Sequence, residues 1–115
     1  MTNTQRTLKF LRNEWHLKAD VVERWIPGAN IRKDLFGFID IVAVGEWTFG
    51  IQSCSYSGIS ARVKKIKESK EMYEHLLLLD WRLYVIGWHK VKNRWVHRAV
   101  EIESDNKKPA PWKLP

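Results

Sequence analysis

The sequence is poor in cysteine and in long hydrophobic runs, and both shortages restrict what the protein can be. Its single cysteine, Cys54, excludes an internal disulfide and a zinc site built from several cysteines, and it fits a reducing compartment. No apolar run approaches the roughly 20 residues that a membrane-spanning helix needs. Residues 1–5 are polar and lack the apolar core of a signal peptide. We therefore expect a soluble, cytoplasmic protein without a membrane partner.

Basic residues are abundant, and acidic residues are fewer. The 115 residues include 20 lysines and arginines against 13 aspartates and glutamates, for a formal net charge of +7. An excess of this sign favours polyanionic partners such as nucleic acid. The length suits one domain, which we place at residues 1–103. Residues 104–115 carry three prolines and several lysines and are predicted to form a flexible basic tail.

Hydrophobic periodicity predicts an α/β (α+β) fold with the order α-β-β-β-α-β-β. Apolar residues recur at helical spacing in two segments, and β-branched and aromatic residues concentrate in five others. The helices are predicted at residues 4–14 and 61–77, and the strands at residues 19–26, 36–44, 47–54, 82–91 and 95–102. We expect an open mixed β-sheet with flanking helices. The seven tryptophans are assigned mainly to packing in the core and at strand edges.

Two polar residues occupy matching positions on the second and third predicted strands. If residues 45–47 form a three-residue turn, Val44 faces Thr48 and Asp40 faces Gln52. Directly opposed side chains have Cβ atoms about 4.5–5.5 Å apart and point to one face of the sheet. A carboxylate before an apolar run is costly unless it is paired or bound to metal. Asp40 could instead mark a strand start or pair with a nearby cation, and Gln52 could be a buried amide satisfied by backbone.

Three segments carry a resemblance to a known family. Residues 32–43, residues 50–53 and the helix opening at residues 61–66 resemble the core of the PD-(D/E)XK nucleases, closest to small phage-type and Holliday-junction-resolvase-like members. The resemblance implies a restriction-endonuclease-like core, Mg²⁺ or Mn²⁺ as cofactor, and DNA as substrate. It places Asp40 at the family's first aspartate and Gln52 where the family usually carries an acid. A glutamine oxygen can still ligate a hard cation, but it brings no charge.

The family's lysine is absent two residues after Gln52, where this sequence has Cys54. A catalytic cation from the next helix, Arg62 or Lys65, can take its place near the phosphate, and helical spacing lets these two share a face. The same two residues could equally form part of a solvated charged face. We interpret Cys54 itself as a small buried hydrophobe rather than as a nucleophile.

Asp34 is a further candidate metal ligand, because its loop precedes the strand that carries Asp40. A role in stabilising a turn explains Asp34 equally well. Glu23, on the first predicted strand, could also contribute to a metal site, or it could simply pair with a neighbouring cation.

Two stretches are candidates for binding nucleic acid. The first lies on the second predicted helix, where cations can contact phosphates without reading sequence: Arg62, Lys64, Lys65, Lys67 and Lys70. The second combines cations with two tryptophans on the last two strands: Lys90, Lys92, Arg94, Arg98, Trp88 and Trp95. Exposed tryptophans could stack on unpaired bases, whereas buried ones would only pack.

We therefore expect a metal-dependent nuclease-fold protein that acts on DNA phosphodiesters, with branched or single-stranded DNA as candidate substrates. Whether it is an enzyme is left open, because Gln52 and Cys54 both depart from the family pattern; an active form would be a Mg²⁺-dependent endonuclease. One alternative is a decayed module of the same fold that binds nucleic acid without cutting it. Another is a phage accessory factor, acting in the host cytoplasm, whose basic face meets an acidic protein. The oligomeric state is also open, and a homodimer is one alternative.

Overall fold

The computed structural model describes residues 1–105 and shows three helices and seven strands. The helices are α1 (Asn3–Asn13), α2 (Ile59–Glu68) and α3 (Lys70–Leu78). The strands are β1 (Lys18–Val21), β2 (Arg24–Ile26), β3 (Ile31–Lys33), β4 (Ile41–Val44), β5 (Thr48–Ser55), β6 (Arg82–Val91) and β7 (Arg94–Ile102). A short 3₁₀ turn, Tyr56–Gly58, joins β5 to α2. None of the helices in this part of the chain is long and apolar enough to cross a lipid bilayer.

Five of the strands form one mixed sheet in the order β1-β4-β5-β6-β7. β5 and β6 are parallel, and the other neighbouring pairs in that sheet are antiparallel. A parallel pair needs a crossover, which α2 and α3 supply. Buried side chains form one cluster beneath α1, including Leu11 and Ile51, and another beneath α2 and α3, including Ile66 and Val85. The chain is therefore an α+β protein with a mixed sheet and flanking helices, as its sequence predicts.

Helix α1 begins with a capping box and is attached to the sheet by a buried hydroxyl. The Thr2 side chain accepts a hydrogen bond from the Gln5 backbone N–H at 3.1 Å, and the Gln5 side chain accepts one from the Thr2 N–H at 2.8 Å. Further along, buried Thr7 shares a 2.8 Å hydrogen bond with the Ser53 hydroxyl and accepts one from the Trp88 indole at 2.9 Å. These bonds satisfy interior polar groups and determine where α1 lies over β5 and β6.

The first predicted strand, at residues 19–26, is in fact two strands in different sheets. β1 ends at Val21 and pairs with β4, whereas β2 pairs with β3 in a separate hairpin. Gly28, with φ 90°, and Asn30, with φ 57°, turn that hairpin in the left-handed region, which glycine and asparagine tolerate best. Because residues 21–26 stay largely β-branched and aromatic, periodicity does not reveal the change of direction after Val21.

The second predicted strand, at residues 36–44, begins only at Ile41. Phe36, with φ 55°, and Gly37, with φ 85°, reverse the chain between Leu35 and Ile39. A bulky residue with positive φ is rare. It is held here because Leu35 and Ile39 exchange two backbone hydrogen bonds, of 2.7 and 2.9 Å. This turn, residues 35–39, is the reason that the strand is shorter than predicted.

The second predicted helix is divided at Ser69 into α2 and α3. Ser69 has ψ 51°, outside the helical range, and its carbonyl accepts hydrogen bonds from the backbone N–H groups of Met72 and Tyr73. Serine has only a moderate helix propensity, so an interruption at this position costs little. Both halves keep the predicted apolar face, in which Ile66, Tyr73 and Leu76 are buried.

Tryptophan packing follows the prediction only in part, since Trp15 and Trp81 are half-buried against the two core clusters. Among residues 1–105 only Trp88 is a buried tryptophan, while Trp25, Trp47 and Trp95 are each more than 40% exposed. The guanidinium of Arg6 lies 3.4 Å from the ring centroid of Trp95. A cation–π contact of this kind stabilises an indole at the surface, so apolar neighbours in sequence do not guarantee burial.

The last described residues fold back onto α3. The Ser104 hydroxyl donates to Glu74 at 2.6 Å, and the Asp105 carboxylate accepts hydrogen bonds from Tyr73 at 2.6 Å and Lys67 at 2.9 Å. The predicted tail began at residue 104, and the rest of it, residues 106–115, lies outside the described residues.

Candidate metal and catalytic site

Asp34 and Asp40 are neighbours because of the turn at residues 35–39. The two ends of that turn pair across a single bridge, so the residues immediately outside it are brought side by side. Asp34 is half-buried, and Asp40 is buried at the point where β4 begins. The turn therefore has a consequence for chemistry as well as for chain direction, since it sets two carboxylates together.

Glu23 completes a group of three carboxylates. The Val22 backbone N–H donates to the Asp40 carbonyl at 2.9 Å, which extends the pairing of β1 with β4 and leads the chain past Asp40. Carboxylate oxygens of Glu23, Asp34 and Asp40 all lie within 4.8 Å of one another. Glu23 also accepts a 3.0 Å hydrogen bond from Arg32. We call Glu23, Asp34 and Asp40 the carboxylate cluster.

Gln52 faces Asp40, in the register that the turn length predicts. Val44 pairs with Thr48, and the Gln52 side-chain amide donates to Asp40 Oδ2 at 3.1 Å. Gln52 and Cys54 point to the same face of β5, because side chains two residues apart on a strand share a face. Cys54 belongs to the cluster beneath α2 and α3. Asp40 and Gln52 therefore lie together on the face that the two crossover helices cover.

The backbone of Ser53 supplies a second donor to Asp40. Its N–H lies 3.1 and 3.2 Å from the two carboxylate oxygens. This N–H lies on the side of β5 that pairs with β4, but the pairing ends at Ile51. The Asp40 carboxylate therefore accepts the hydrogen bond that a backbone carbonyl of a neighbouring strand would otherwise accept. No sequence pattern marks this donor, because every residue except proline carries a backbone N–H.

Asp40 is 4% exposed, and burial raises its pKa from 3.8 to about 7. The hydrogen bond from Ser53 opposes this shift, whereas the negative charges of Asp34 and Glu23 add to it. A buried acid beside two others favours a bound proton or a bound cation near neutral pH. Carboxyl groups perturbed in this way are concentrated at functional sites.

The side-chain oxygen Oε1 of Gln52 has no hydrogen-bond partner within residues 1–105. Gln52 is 3% exposed, and a buried amide oxygen without a partner costs about 1–3 kcal/mol. Because the nitrogen of the same amide is bonded to Asp40, this oxygen lies close to the carboxylate cluster. Three carboxylates and one amide oxygen form an all-oxygen donor set, which fits Mg²⁺ or Mn²⁺.

Cys54 is 7% exposed, which agrees with its interpretation as a small buried side chain. Burial raises the pKa of its thiol, the charge of Arg62 opposes the shift, and the charge of Asp40 adds to it. Arg62 and Asp40 thus both lie within electrostatic range of Cys54. Of the two cations expected to replace the family's lysine, Arg62 is half-buried near this thiol, and Lys65, one turn further along α2, is exposed.

The other basic residues of α2 and α3 have unequal surroundings. Lys64 and Lys70 are exposed, so a phosphate can approach them. Lys67 donates to Asp105 at 2.9 Å and to the Glu103 carbonyl at 2.7 Å. A phosphate at Lys67 would have to displace these contacts.

Comparisons of the chain with protein-family models, with curated proteins and with solved structures find no match. The fold and the site nevertheless define a class: an α+β protein with a carboxylate cluster, buried at Asp40 and half-buried at Glu23 and Asp34, beside a buried amide oxygen.

Proposed function

We propose that the protein is a metal-dependent nuclease that acts on DNA phosphodiesters with Mg²⁺ or Mn²⁺. The observation that carries the proposal is the buried pair of Asp40 and Gln52. A carboxyl group whose pKa is raised to about 7 lies beside an amide oxygen that lacks a partner among the described residues. A divalent cation would satisfy both groups. The resemblance of the surrounding segments to PD-(D/E)XK nucleases supports the same class.

The residues of the carboxylate cluster would hold the cation. Asp40, Asp34 and Gln52 would bind it through oxygen, with Glu23 as a further ligand. The cation would supply charge neutralisation at the phosphate and activation of a water molecule. The protein's own part is to fix the ligands in a buried place, where electrostatic interactions are stronger than in water.

Arg62, whose charge acts on the neighbouring Cys54 thiol, would steady the phosphate. A guanidinium can donate two parallel hydrogen bonds to phosphate oxygens, which an ammonium group does not do as specifically. Lys65 is the alternative cation. The exposed lysines of α2 and α3, Lys64 and Lys70, would position the DNA backbone without reading its sequence.

Cleavage assays on branched, single-stranded and linear duplex DNA test the proposal. We expect weak cleavage with Mg²⁺ or Mn²⁺ and none in EDTA. Asp40→Asn should abolish cleavage but leave DNA binding unchanged or slightly tighter, because a negative charge near phosphate is removed. Calorimetric titration with Mn²⁺ should detect binding to the wild-type protein and a large loss of affinity in this variant.

Two further variants test the departures from the family pattern. Gln52→Glu adds a charged ligand and should raise Mn²⁺ affinity by about tenfold, which corresponds to roughly 1.4 kcal/mol. Cys54→Lys should speed cleavage, because electrostatic or acid–base assistance is commonly worth about 10²- to 10⁴-fold. Cys54→Met, which is long but uncharged, is the control. If neither the wild type nor Cys54→Lys cuts any substrate with either metal, the enzyme hypothesis fails.

A nucleic-acid-binding module without catalysis is the second candidate. Two observations favour it: Cys54 is buried where the family has lysine, and Asp40 is already hydrogen-bonded to Gln52 and Ser53. This candidate predicts DNA binding that persists in EDTA and no cleavage by any of the variants. DNA binding that is absent or insensitive to salt would instead favour the protein-interaction alternative.

A further inference from the structure

The β6–β7 hairpin extends past the end of β5. Ser55, the last residue of β5, pairs with Trp88, whereas β6 continues to Val91 and pairs there with Arg94 of β7. Residues 92 and 93 form the turn, and both have positive φ, of 48° and 64°. Two consecutive left-handed residues are typical of a type I′ turn, which matches the twist of a hairpin. We call residues 88–98 the hairpin arm.

The hairpin arm is strongly basic. It contains Lys90, Lys92, Arg94 and Arg98 and no acidic residue. All four cations are exposed. A local concentration of one sign without compensating carboxylates attracts a polyanion and is screened by salt.

Two of these cations point to the same face of the sheet as the candidate metal site. Cys54 pairs with Gly87, and Gly87 pairs with Arg98. Directly opposed residues point to the same face, so Arg98 shares the face of Cys54 and Gln52. Arg94 shares it as well, because side chains alternate along β7 with a period of two.

The base of the hairpin arm is supported against the chain that follows β5. The rings of Tyr56, in the 3₁₀ turn, and His89, in β6, are stacked with centroids 4.0 Å apart. The side of the arm that faces the site is therefore held next to the start of α2, which also carries Arg62.

Strand geometry gives the reach of the arm. Gln52 pairs with Val85, and the strand continues from there to Val91. At about 3.4 Å per residue, the tip lies roughly 20 Å beyond the level of Gln52. Duplex DNA rises about 3.4 Å per base pair along each strand, so the same distance corresponds to roughly six base pairs.

We propose that the tip of the hairpin arm, Lys92 and Arg94, binds the phosphates of duplex DNA about six base pairs from the phosphate that would lie at the candidate metal site. The inference rests on the proposed function and adds a substrate class to it: DNA with a double-stranded flank on one side of the candidate cleavage point. Duplex DNA is the proposed partner because its phosphates complement the positive charge of the arm. The distance of roughly 20 Å between the tip of the arm and the level of Gln52 implies a double-stranded flank of roughly six base pairs.

Binding measured in EDTA separates this inference from catalysis. The probes are a labelled 24-base-pair duplex and the corresponding 24-nucleotide single strand. Lys92→Asn and Arg94→Gln each remove one charge, and asparagine suits the left-handed position of Lys92. We expect the double variant to bind the duplex at least about tenfold more weakly. The slope of log affinity against log salt should be shallower by about two units, since each phosphate contact contributes roughly 0.9.

Lys18→Gln is the matched control, because Lys18 is an exposed cation on β1, at the opposite edge of the sheet. The Lys18→Gln protein should bind the duplex as tightly as the wild type does. In the double variant, the affinity for the single strand should fall less than the affinity for the duplex. Unchanged duplex binding in the double variant would overturn the inference while leaving the proposed function standing. If the double variant loses equal affinity for the duplex and for the single strand, the arm does not require double-stranded DNA, and the proposed substrate class is wrong. If poly-glutamate competes as effectively as unlabelled duplex does, the arm binds acidic protein rather than DNA, and the inference is again overturned. If the wild type binds neither probe, the inference fails, and the proposed function is decided by the cleavage assays with Mg²⁺ or Mn²⁺.

Discussion

At the scale of single residues, Asp40 combines a structural contact with the chemistry of the site. Its hydrogen bonds come from neutral donors, the Gln52 amide and the Ser53 N–H, and they close the end of the β4–β5 pairing. The charges that act on it, those of Asp34 and Glu23, are negative. An ionised Asp40 is thus stabilised by dipoles alone, which do not offset the loss of water on burial, and its pKa rises.

In metal-free protein, stability should fall as the pH rises through the pKa of Asp40. The carboxyl group has a pKa of about 7 in the folded chain against 3.8 ordinarily, so the folded state binds this proton more tightly. The stabilising effect of protonation is fully present below about pH 4 and is lost as the pH rises through about 7. The loss is on the order of 4 kcal/mol in unfolding free energy. Denaturant unfolding in EDTA across this range measures it.

Asp40→Asn is the matched control for that prediction, because it keeps the shape of the side chain and removes its titration. The difference in stability between the wild type and the variant cancels the contributions of the other titrating groups. That difference should change steadily between about pH 4 and about pH 7. A difference independent of pH would mean that Asp40 is not the residue that couples protonation to folding.

At the scale of secondary-structure elements, β6 and α2 meet where only glycine fits. An ideal Cβ on Gly87 would lie 2.5 Å from Cγ1 and 2.7 Å from Cδ1 of Ile59, and 3.0 Å from the carbonyl oxygen of Ser55. Arg62 lies one turn after Ile59 on α2. The close approach at Gly87 therefore helps to set the position of this cation relative to Cys54.

Gly87→Ala should destabilise the fold by about 1–3 kcal/mol, because the added methyl group must displace Ile59. Ile59→Ala alone should cost about 2–5 kcal/mol through the cavity it leaves. In the double variant the total should be smaller than the sum by about 0.5–3 kcal/mol, since each change relieves the other. A double-mutant cycle by chemical denaturation measures this coupling. Strict additivity would indicate that the Ser55 carbonyl, and not Ile59, limits the space.

At the scale of the whole molecule, cations on α2 and β7 lie on the same face of the sheet as a site whose centre is acidic. Arg62 and Lys65 lie on α2, and Arg94 and Arg98 extend along β7 on the same face of the sheet as Gln52. The formal net charge is +7. This distribution attracts a phosphate backbone over a broad surface, while the carboxylate cluster would repel the backbone locally until a cation is bound.

Arg62→Ala with Lys65→Ala should weaken DNA binding for all sequences alike, because phosphate contacts carry no sequence information. The slope of log affinity against log salt should become shallower by roughly 0.9 for each lost contact. Fluorescence anisotropy at several salt concentrations measures both effects, with Lys18→Ala as the control. If the affinity and its salt dependence do not change when Arg62 and Lys65 are replaced, the DNA interface does not include this part of α2.

The sequence by itself determines those features that depend on the alternation of apolar and polar residues within a segment and on the length of a turn. The register that joins Val44 to Thr48 follows from a three-residue turn, and it sets Asp40 opposite Gln52. The two apolar faces of β6 follow from alternation, with Leu83 in one buried cluster and Ile86 in the other. Each of these features involves residues close together in the chain, so short-range pattern is sufficient to predict it.

Tertiary structure alone decides the features that join distant segments. Glu23 reaches Asp40 because the Val22 N–H extends the pairing of β1 with β4 as far as the Asp40 carbonyl. Asp34 reaches it because Phe36 adopts a positive φ that its side chain disfavours. The raised pKa of Asp40 and the reach of the hairpin arm past Ser55 depend likewise on burial and on strand order. The physical reason is that desolvation and the proximity of remote side chains arise only when the whole sheet packs, whereas periodicity reports only each segment's own preference.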